Sequence, residues 1–270
     1  MSCLELRSLT IEIGNKKVCR DLSLTINPNE RWALLGKNGV GKTTLLHSLL
    51  ALHQPSAGEI LVNNKSLRNT KRQELAKYLG ILFQEGMHAM PSTVLETVLI
   101  GRHPHAHSLL LDHPRDMEIA QAALRSLDLE AFAQRQIDTL SGGEKQRVAL
   151  AMLLAQAPTV YLLDEPSNHL DLAFQVKLLS ALEQQLHQQS ACVLMATHDI
   201  NLAARFCDRF ILLLGDGNVV FGKQDEVLTE TALSTAYDCE MRKLTAGNMH
   251  LYYPALPTEP GSGSGSQALI

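Results

Sequence analysis

The amino-acid sequence predicts an α/β fold with a mixed central sheet, on three observations. Short apolar runs at residues 31–35, 159–163 and 191–196 each end at a turn bearing glycine, acid or histidine, as buried parallel strands do when the loops beyond them carry chemistry. A helix-period segment separates the last two runs and supplies the crossover that parallel pairing requires. Between the first run and a helix-like stretch stands Gly36-Lys37-Asn38-Gly39-Val40-Gly41-Lys42-Thr43, which satisfies G-x-x-x-x-G-K-[ST] in the strand–loop–helix context that gives the match its meaning.

Taken in order, residues 9–13 (LTIEI) and 22–26 (LSLTI) alternate around the Gly14-Asn15 turn signal and predict an N-terminal antiparallel β-subdomain. The run 31–35 (RWALL) is the strand before the glycine-rich loop, and 43–52 is the helix after it. Residues 91–155 are mostly helical in pattern, notably at 118–127 and 144–154, and they interrupt the strand series as an inserted helical lobe. The run 159–163 (TVYLL) leads to Asp164-Glu165. In the next helix Leu172, Val176, Leu179, Leu182 and Leu186 recur at helical spacing and are predicted to pack on the sheet.

After the run 191–196 (ACVLMA) come His198 and Asp199, and then 210–214 (FILLL), Asp216-Gly217 and 218–221 (NVVF), which read as a hairpin. The chain therefore divides into a main domain over 1–230, a short extension over 231–258 and a Gly/Ser tail over 259–270 whose GSGSGS repeat has the composition of an engineered flexible linker.

Bulk composition narrows the function classes. The 270 residues are 45% hydrophobic, as expected for a globular protein with a full core. A net charge of −4 lacks the basic excess that general phosphate-backbone binding needs, so no nucleic-acid partner is expected. No apolar stretch approaches the roughly 20 residues that span a bilayer, and no signal peptide is visible. Cys3, Cys19, Cys192, Cys207 and Cys239 are scattered without a C-x-x-C pair, which suggests neither a disulfide framework nor a zinc site and favours the cytosol.

The glycine-rich loop is read as a phosphate cradle. Its glycines let backbone N–H groups turn inward, Lys42 reaches the β/γ-phosphates, and the Thr43 hydroxyl ligates Mg²⁺, with Thr44 in the same helical turn. Asp164 and Glu165 stand at the carboxyl end of a strand, where open α/β folds bind ligands. Asp164 is expected to support Mg²⁺, leaving Glu165 to orient and polarise water. His198 alone reads equally as a turn or cap residue before the next helix.

Leu140-Ser141-Gly142-Gly143-Glu144-Lys145-Gln146-Arg147, just upstream of Asp164-Glu165-Pro166, is similar to the signature motif of ATP-binding-cassette (ABC) proteins, and the resemblance covers roughly residues 4–225. It implies a P-loop NTPase of the ABC type with ATP and Mg²⁺ as ligands. Gln84 resembles the family's glutamine lid at the Mg²⁺ site, and His198 its switch histidine. Asn168 and Asp171 match its dimer-contact loop. In the family Ser141, Gly142 and Gly143, with Glu144 opening their helix, face the γ-phosphate held by a second protomer, so the resemblance implies a head-to-tail pair of copies.

One position departs from the family. Ile13 stands where an aromatic residue usually stacks on adenine, and the only tryptophan, Trp32, is expected in the core instead.

The segment 98–105 (VLIGRHPH) looks similar to the lobe of bacterial importers for ferric siderophores, haem and cobalamin, and 236–244 (AYDCEMRKL) to the ending of metal-chelate importer cassettes. That resemblance implies a peripheral subunit on the cytoplasmic face of the inner membrane, working with permease subunits and a substrate-binding protein. The alternative is a soluble cassette protein acting on ribosomes, to which residues 164–171 (DEPSNHLD) are also similar; such factors usually carry two cassettes. His103, His105, His107 and His113 read as a solvated or contact loop rather than a metal site.

Overall fold

The computed structural model describes residues 2–83, 91–105, 114–168, 170–247 and 249–255. The chain opens with β1 (Leu4–Ile13) and β2 (Lys16–Ile26), then β3 (Arg31–Leu35) and α1 (Lys42–Leu49). Next come β4 (Ala57–Val62), β5 (Lys65–Ser66), α2 (Arg72–Leu75) and β6 (Leu79–Leu82). The lobe carries α3 (Val94–Ile100), α4 (Pro114–Ser126) and α5 (Gly142–Gln156). The chain returns through β7 (Val160–Asp164), α6 (Leu172–Gln189), β8 (Cys192–Ala196), α7 (Ile200–Phe206), β9 (Arg209–Leu213) and β10 (Val219–Lys223). It finishes with α8 (Gln224–Val227), α9 (Glu230–Tyr237), β11 (Met241–Ala246) and β12 (Met249–Pro254).

The central sheet has the order β10-β9-β3-β8-β7-β6. Its inner strands run parallel, and β10 closes one edge antiparallel to β9 through the expected hairpin. A second sheet, β2-β1-β4-β5, is antiparallel throughout. The fold is thus the mixed-sheet α/β class read from the sequence.

Side chains of the central strands alternate between two cores, because successive Cβ atoms point to opposite faces. Trp32, Leu34, Val160, Leu162 and Leu194 face the antiparallel sheet and α1. Ala33, Leu35, Tyr161, Leu163, Val193 and Met195 face the lobe, α6 and α7. Both faces are therefore dry, which is why these strands read as unbroken apolar runs. Trp32 is a core residue, as expected, and its indole N–H donates to Glu30 at 2.9 Å.

Helix α6 corrects the face read from its periodicity. Leu182 and Leu186 are buried and Leu179 packs half-buried against the core, but Leu172 is 80% exposed and Val176 59% exposed, and the fully packed stripe is Phe174, Leu178, Ala181, Leu182 and Leu186. The first two turns are apolar on several faces, so spacing alone could not choose between the stripe through Leu172 and the one through Phe174. Phe174 wins because it packs into the core with the Arg147 guanidinium 4.1 Å over its ring.

Helix α1 also stops earlier than the predicted 43–52, because Ala51 adopts a left-handed conformation (φ 56) that no continuing helix accommodates.

Candidate active site

Parallel pairing places the carboxyl ends of β3, β7 and β8 on one edge of the sheet. The glycine-rich loop leaves β3 there, Asp164 and Glu165 end β7, and Thr197-His198 follow β8. The result is a pocket of about 460 Å³ lined by Asn38, Gly39, Gly41, Lys42, Thr43, Thr44, Asp164, Glu165, Asn168 and His198.

Two glycines set the loop's path. Gly36 has φ 141, and a Cβ there would lie 2.9 Å from the Leu213 carbonyl oxygen. Gly41 has φ 120, and a Cβ would come within 2.7 Å of the Val18 methyls. Only glycine fits either position. Lys37 and Val40 turn their side chains away from the pocket: Val40 is buried in the core beside Gly36, and Lys37 forms an ion pair with Asp238. Only their backbone is left to face a ligand.

The pocket concentrates charge in a dry setting. Lys42 is 7% exposed, and its Nζ donates to the Gly36 carbonyl at 2.9 Å and lies 3.9 Å from Glu165 Oε1. Burial pushes its pKa down, partly offset by Glu165 and Asp164. Asp164, 2% exposed, is pushed above the usual carboxylate range by burial and by its neighbour Glu165, against a hydrogen bond from the Thr43 side chain and the attraction of His47 and Lys42. An anionic ligand with its cation would relieve both shifts.

Glu165 sits in left-handed backbone (φ 50), held by its N–H donating to the Ala196 carbonyl at 2.8 Å. That departure from the strand accompanies a carboxylate placed against His198, just beyond the end of β8. Glu165 Oε2 accepts from the backbone N–H of His198 at 3.3 Å and meets His198 Nδ1 at 2.8 Å. A carboxylate only accepts, so Nδ1 carries the hydrogen and Nε2 is the ring's outer edge. The helix cap beyond is Asp199, whose side chain accepts from Leu202 N–H, so His198 is free of that duty.

The signature residues are absent from the pocket lining. Ser141 caps α5: its hydroxyl accepts from Glu144 N–H at 3.3 Å, and Glu144 Oε2 accepts from Ser141 N–H at 2.7 Å. The Ser141 hydroxyl also donates to Glu144 Oε2 at 2.7 Å, and this bond, with the one from Ser141 N–H, holds the Glu144 carboxyl below its usual range. Ser141 and Gly142 are exposed, and a Cβ on Gly142 would meet nothing within 4 Å. Asp171 caps α6 by accepting from Phe174 N–H at 2.8 Å, while Asn168 lines the pocket.

Gln84, His107, His113 and the Gly/Ser tail lie outside the described residues. His103 and His105 form a single helical turn, and His105 Nε2 bonds the Gln156 carbonyl at 2.8 Å. Ile13 is exposed on the wall of a shallow pocket of about 480 Å³ shared with Asn15, Lys16, Lys17, Gly215 and Asp216.

The ABC transporter family profile matches residues 19–168, which hold the loop, the capped signature and the paired carboxylates. This chain belongs to the ABC transporter family. It is an ATP-binding ATPase cassette. It is 36% identical over 244 residues to the hemin import ATP-binding protein HmuV of Escherichia coli O157:H7, covering 88% of this chain and 93% of that one. It is 34% identical over 237 residues to the petrobactin import ATP-binding protein FpuD of Bacillus anthracis, covering 88% and 87% respectively.

Among solved structures the cassette superposes on an inward-facing putative metal-chelate type ABC transporter with TM-score 0.80 and 28% identity, over 94% of this chain and 98% of that one. It also matches a dimeric post-hydrolysis cassette bound to ADP and Pi, with TM-score 0.71 and 29% identity over 82% and 98%. These likenesses to transporter cassettes give the ribosome-associated alternative no support.

Several site features escaped the sequence. The Glu165–His198 hydrogen bond and the contact of Lys37 with Asp238 join residues far apart in the chain, and no local pattern announces either.

Proposed function

We propose that this cassette powers uptake of a metal chelate, a ferric siderophore or haem, through separate permease subunits fed by a substrate-binding protein. The observation that carries the catalytic part is the convergence of Lys42, Thr43, Asp164, Glu165 and His198 on one pocket. The import part is supported by the hemin and petrobactin import proteins to which the chain is similar. No helix among the described residues is long and apolar enough to cross a membrane, which fits a peripheral subunit docked on a permease at the cytoplasmic face of the inner membrane.

In this reading the loop backbone from Gly36 to Thr44 cradles the phosphates, and Lys42 supplies the charge at the β/γ position. The Thr43 hydroxyl beside the Asp164 carboxylate is a hard-oxygen donor pair that fits Mg²⁺, with Gln84 assigned to the same ion by sequence resemblance. Mg²⁺ there would neutralise charge on the β- and γ-oxygens. Glu165 orients the attacking water and accepts its proton. His198, tethered through Nδ1 to Glu165, presents Nε2 to the γ-phosphate.

The second half of each site comes from a second copy. Ser141 and Gly142 sit exposed, with Gly143 half-buried behind them, at the N-terminus of a 15-residue helix, a ready anion-binding feature, yet they do not line the phosphate-loop pocket of their own chain. Asn168 and Asp171 would lie along the same interface.

The direct test is affinity capture of the Glu165→Gln chain from its host's membranes in detergent and ATP, with mass spectrometry of what accompanies it. A multi-span permease with a chelate-binding protein is the expected result. Recovery of ribosomes, or of an exporter's membrane domain, would overturn the reading.

A further inference from the structure

The C-terminal extension returns to the site from outside. Helix α9 ends on Tyr237, and Asp238 follows in left-handed conformation (φ 54), turning the chain beside the phosphate loop. Two consecutive residues of the extension meet two consecutive residues of the loop. Asp238 pairs its carboxylate with the Lys37 ammonium. The Tyr237 hydroxyl is sealed from solvent close to the backbone of Gly36, yet among the described residues it has no partner in hydrogen-bonding geometry. Burial pushes that phenol up to about 12.

The same extension grips the other wall of the site. Tyr252 on β12 is buried, and Asn201, on the helix that follows His198, pairs with its backbone as a neighbouring strand would. Asn201 Nδ2 donates to the Tyr252 carbonyl at 3.0 Å, and Asn201 Oδ1 accepts from Tyr252 N–H at 2.8 Å. Gln224 Nε2 adds a bond to the Tyr252 hydroxyl at 3.2 Å.

We infer that the extension is a positioning element of the ATPase, with Tyr237 holding the phosphate loop at Gly36 while Asn201 ties the same extension to the helix behind His198. The Gly36 carbonyl is the acceptor that fixes Lys42, and His198 is bonded to Glu165, so the unit sets the spacing between the phosphate-binding and water-orienting sides. Phosphoryl transfer asks the protein chiefly for such positioning. A buried hydroxyl with no partner is uncommon, and the Gly36 backbone is the polar group beside it, so a loop braced by bound phosphate is expected to complete the Tyr237 bond and to tie nucleotide affinity to this hydroxyl. The inference rests on ATP hydrolysis at this pocket.

The test uses the full chain and Mg-ATP. Tyr237→Phe keeps the ring and deletes only the hydroxyl. Its nucleotide-free melting temperature is expected to equal or exceed that of the unsubstituted chain. Its Kd for a fluorescent ATP analogue is expected to rise by about threefold or more. Asn201→Ala is expected to bind the analogue within about twofold of the unsubstituted chain while kcat falls by about fivefold or more.

Unchanged binding in Tyr237→Phe together with unchanged kcat in Asn201→Ala would overturn the inference. So would a Tyr237→Phe chain whose only change is a lower nucleotide-free melting temperature, the mark of simple packing. If Asn201→Ala fails to fold, Tyr237→Phe decides alone. An unsubstituted chain that binds no ATP would instead overturn the site assignment itself.

Discussion

Replacing Glu165 by Gln separates binding from chemistry at this site, and the structure sets the scale. The carboxylate is 5% exposed and stands 3.9 Å from Lys42 Nζ, an attraction of about 4 kcal/mol at an effective dielectric of ~20. It also repels the adjacent Asp164, whose pKa it helps to raise, so neutralising it removes one favourable and one opposing unfavourable interaction. Stability without nucleotide is therefore expected to change by no more than about 1 kcal/mol. The amide oxygen can still accept from His198, so the pocket keeps its shape. Loss of a positioned general base slows turnover about 10²- to 10⁴-fold, or about 3 to 5 kcal/mol of barrier. Phosphate release under single-turnover conditions reads the rate, and gel filtration with ATP reads the trapped dimer. Turnover within about threefold of the unsubstituted chain, or ATP affinity falling in step with turnover, would refute the assignment.

Lys42→Ala removes a nearly buried ammonium from the phosphate cradle, so the Kd for ATP is expected to rise about 10- to 100-fold, measured by nucleotide titration. Ser141→Arg gives up a helix cap of about 1 kcal/mol and leaves ATP binding by the monomer intact while hydrolysis disappears; normal turnover would rule out sites shared between two copies. Asp164→Asn deletes a carboxylate whose folded-state pKa is raised, chiefly by burial, so its destabilisation is present above that folded value and vanishes below the unfolded one. The variant is therefore expected to melt higher than the unsubstituted chain at neutral pH without nucleotide, with the gain fading as pH falls through the raised pKa. In the unsubstituted cassette, the acid limb of kcat/KM should lie above the usual carboxylate range for the same reason.

What the sequence made legible follows from how local each signal is. The loop from Gly36 to Thr43, the carboxylates closing β7 and the Ser141–Glu144 cap are contiguous, so residue type and spacing specify them before any folding. Parallel strand order then brings the loop, Glu165 and His198 together, and the alternation of dry faces made those strands readable. In helix α6 the apolar residues outnumber the positions one face can bury, so periodicity does not single out the packed face and Leu172 and Val176 stay outside. The grip of the extension was invisible for the opposite reason. Lys37 and Asp238, or Asn201 and Tyr252, are ordinary polar residues until the fold sets them side by side.

The position of the signature decides what a single chain can do. Gly142 has no positive φ, and a Cβ there would touch nothing within 4 Å, so neither its backbone nor its packing calls for glycine in this chain alone. Gly36 and Gly41 are required by their own loop; Gly142 instead leaves open space above the helix N-terminus, as the proposed approach of a second copy's phosphate would need. Its neighbour Ser141 and the helix N-terminus behind it favour an anion, and the pocket that would hold that anion's γ-phosphate already carries Lys42 but no signature residue. In the function proposed above, two copies arranged head to tail would complete both sites at once. On that proposal one chain alone exposes two incomplete halves, and closure of the pair, driven by nucleotide between them, would be the motion available to push on a permease.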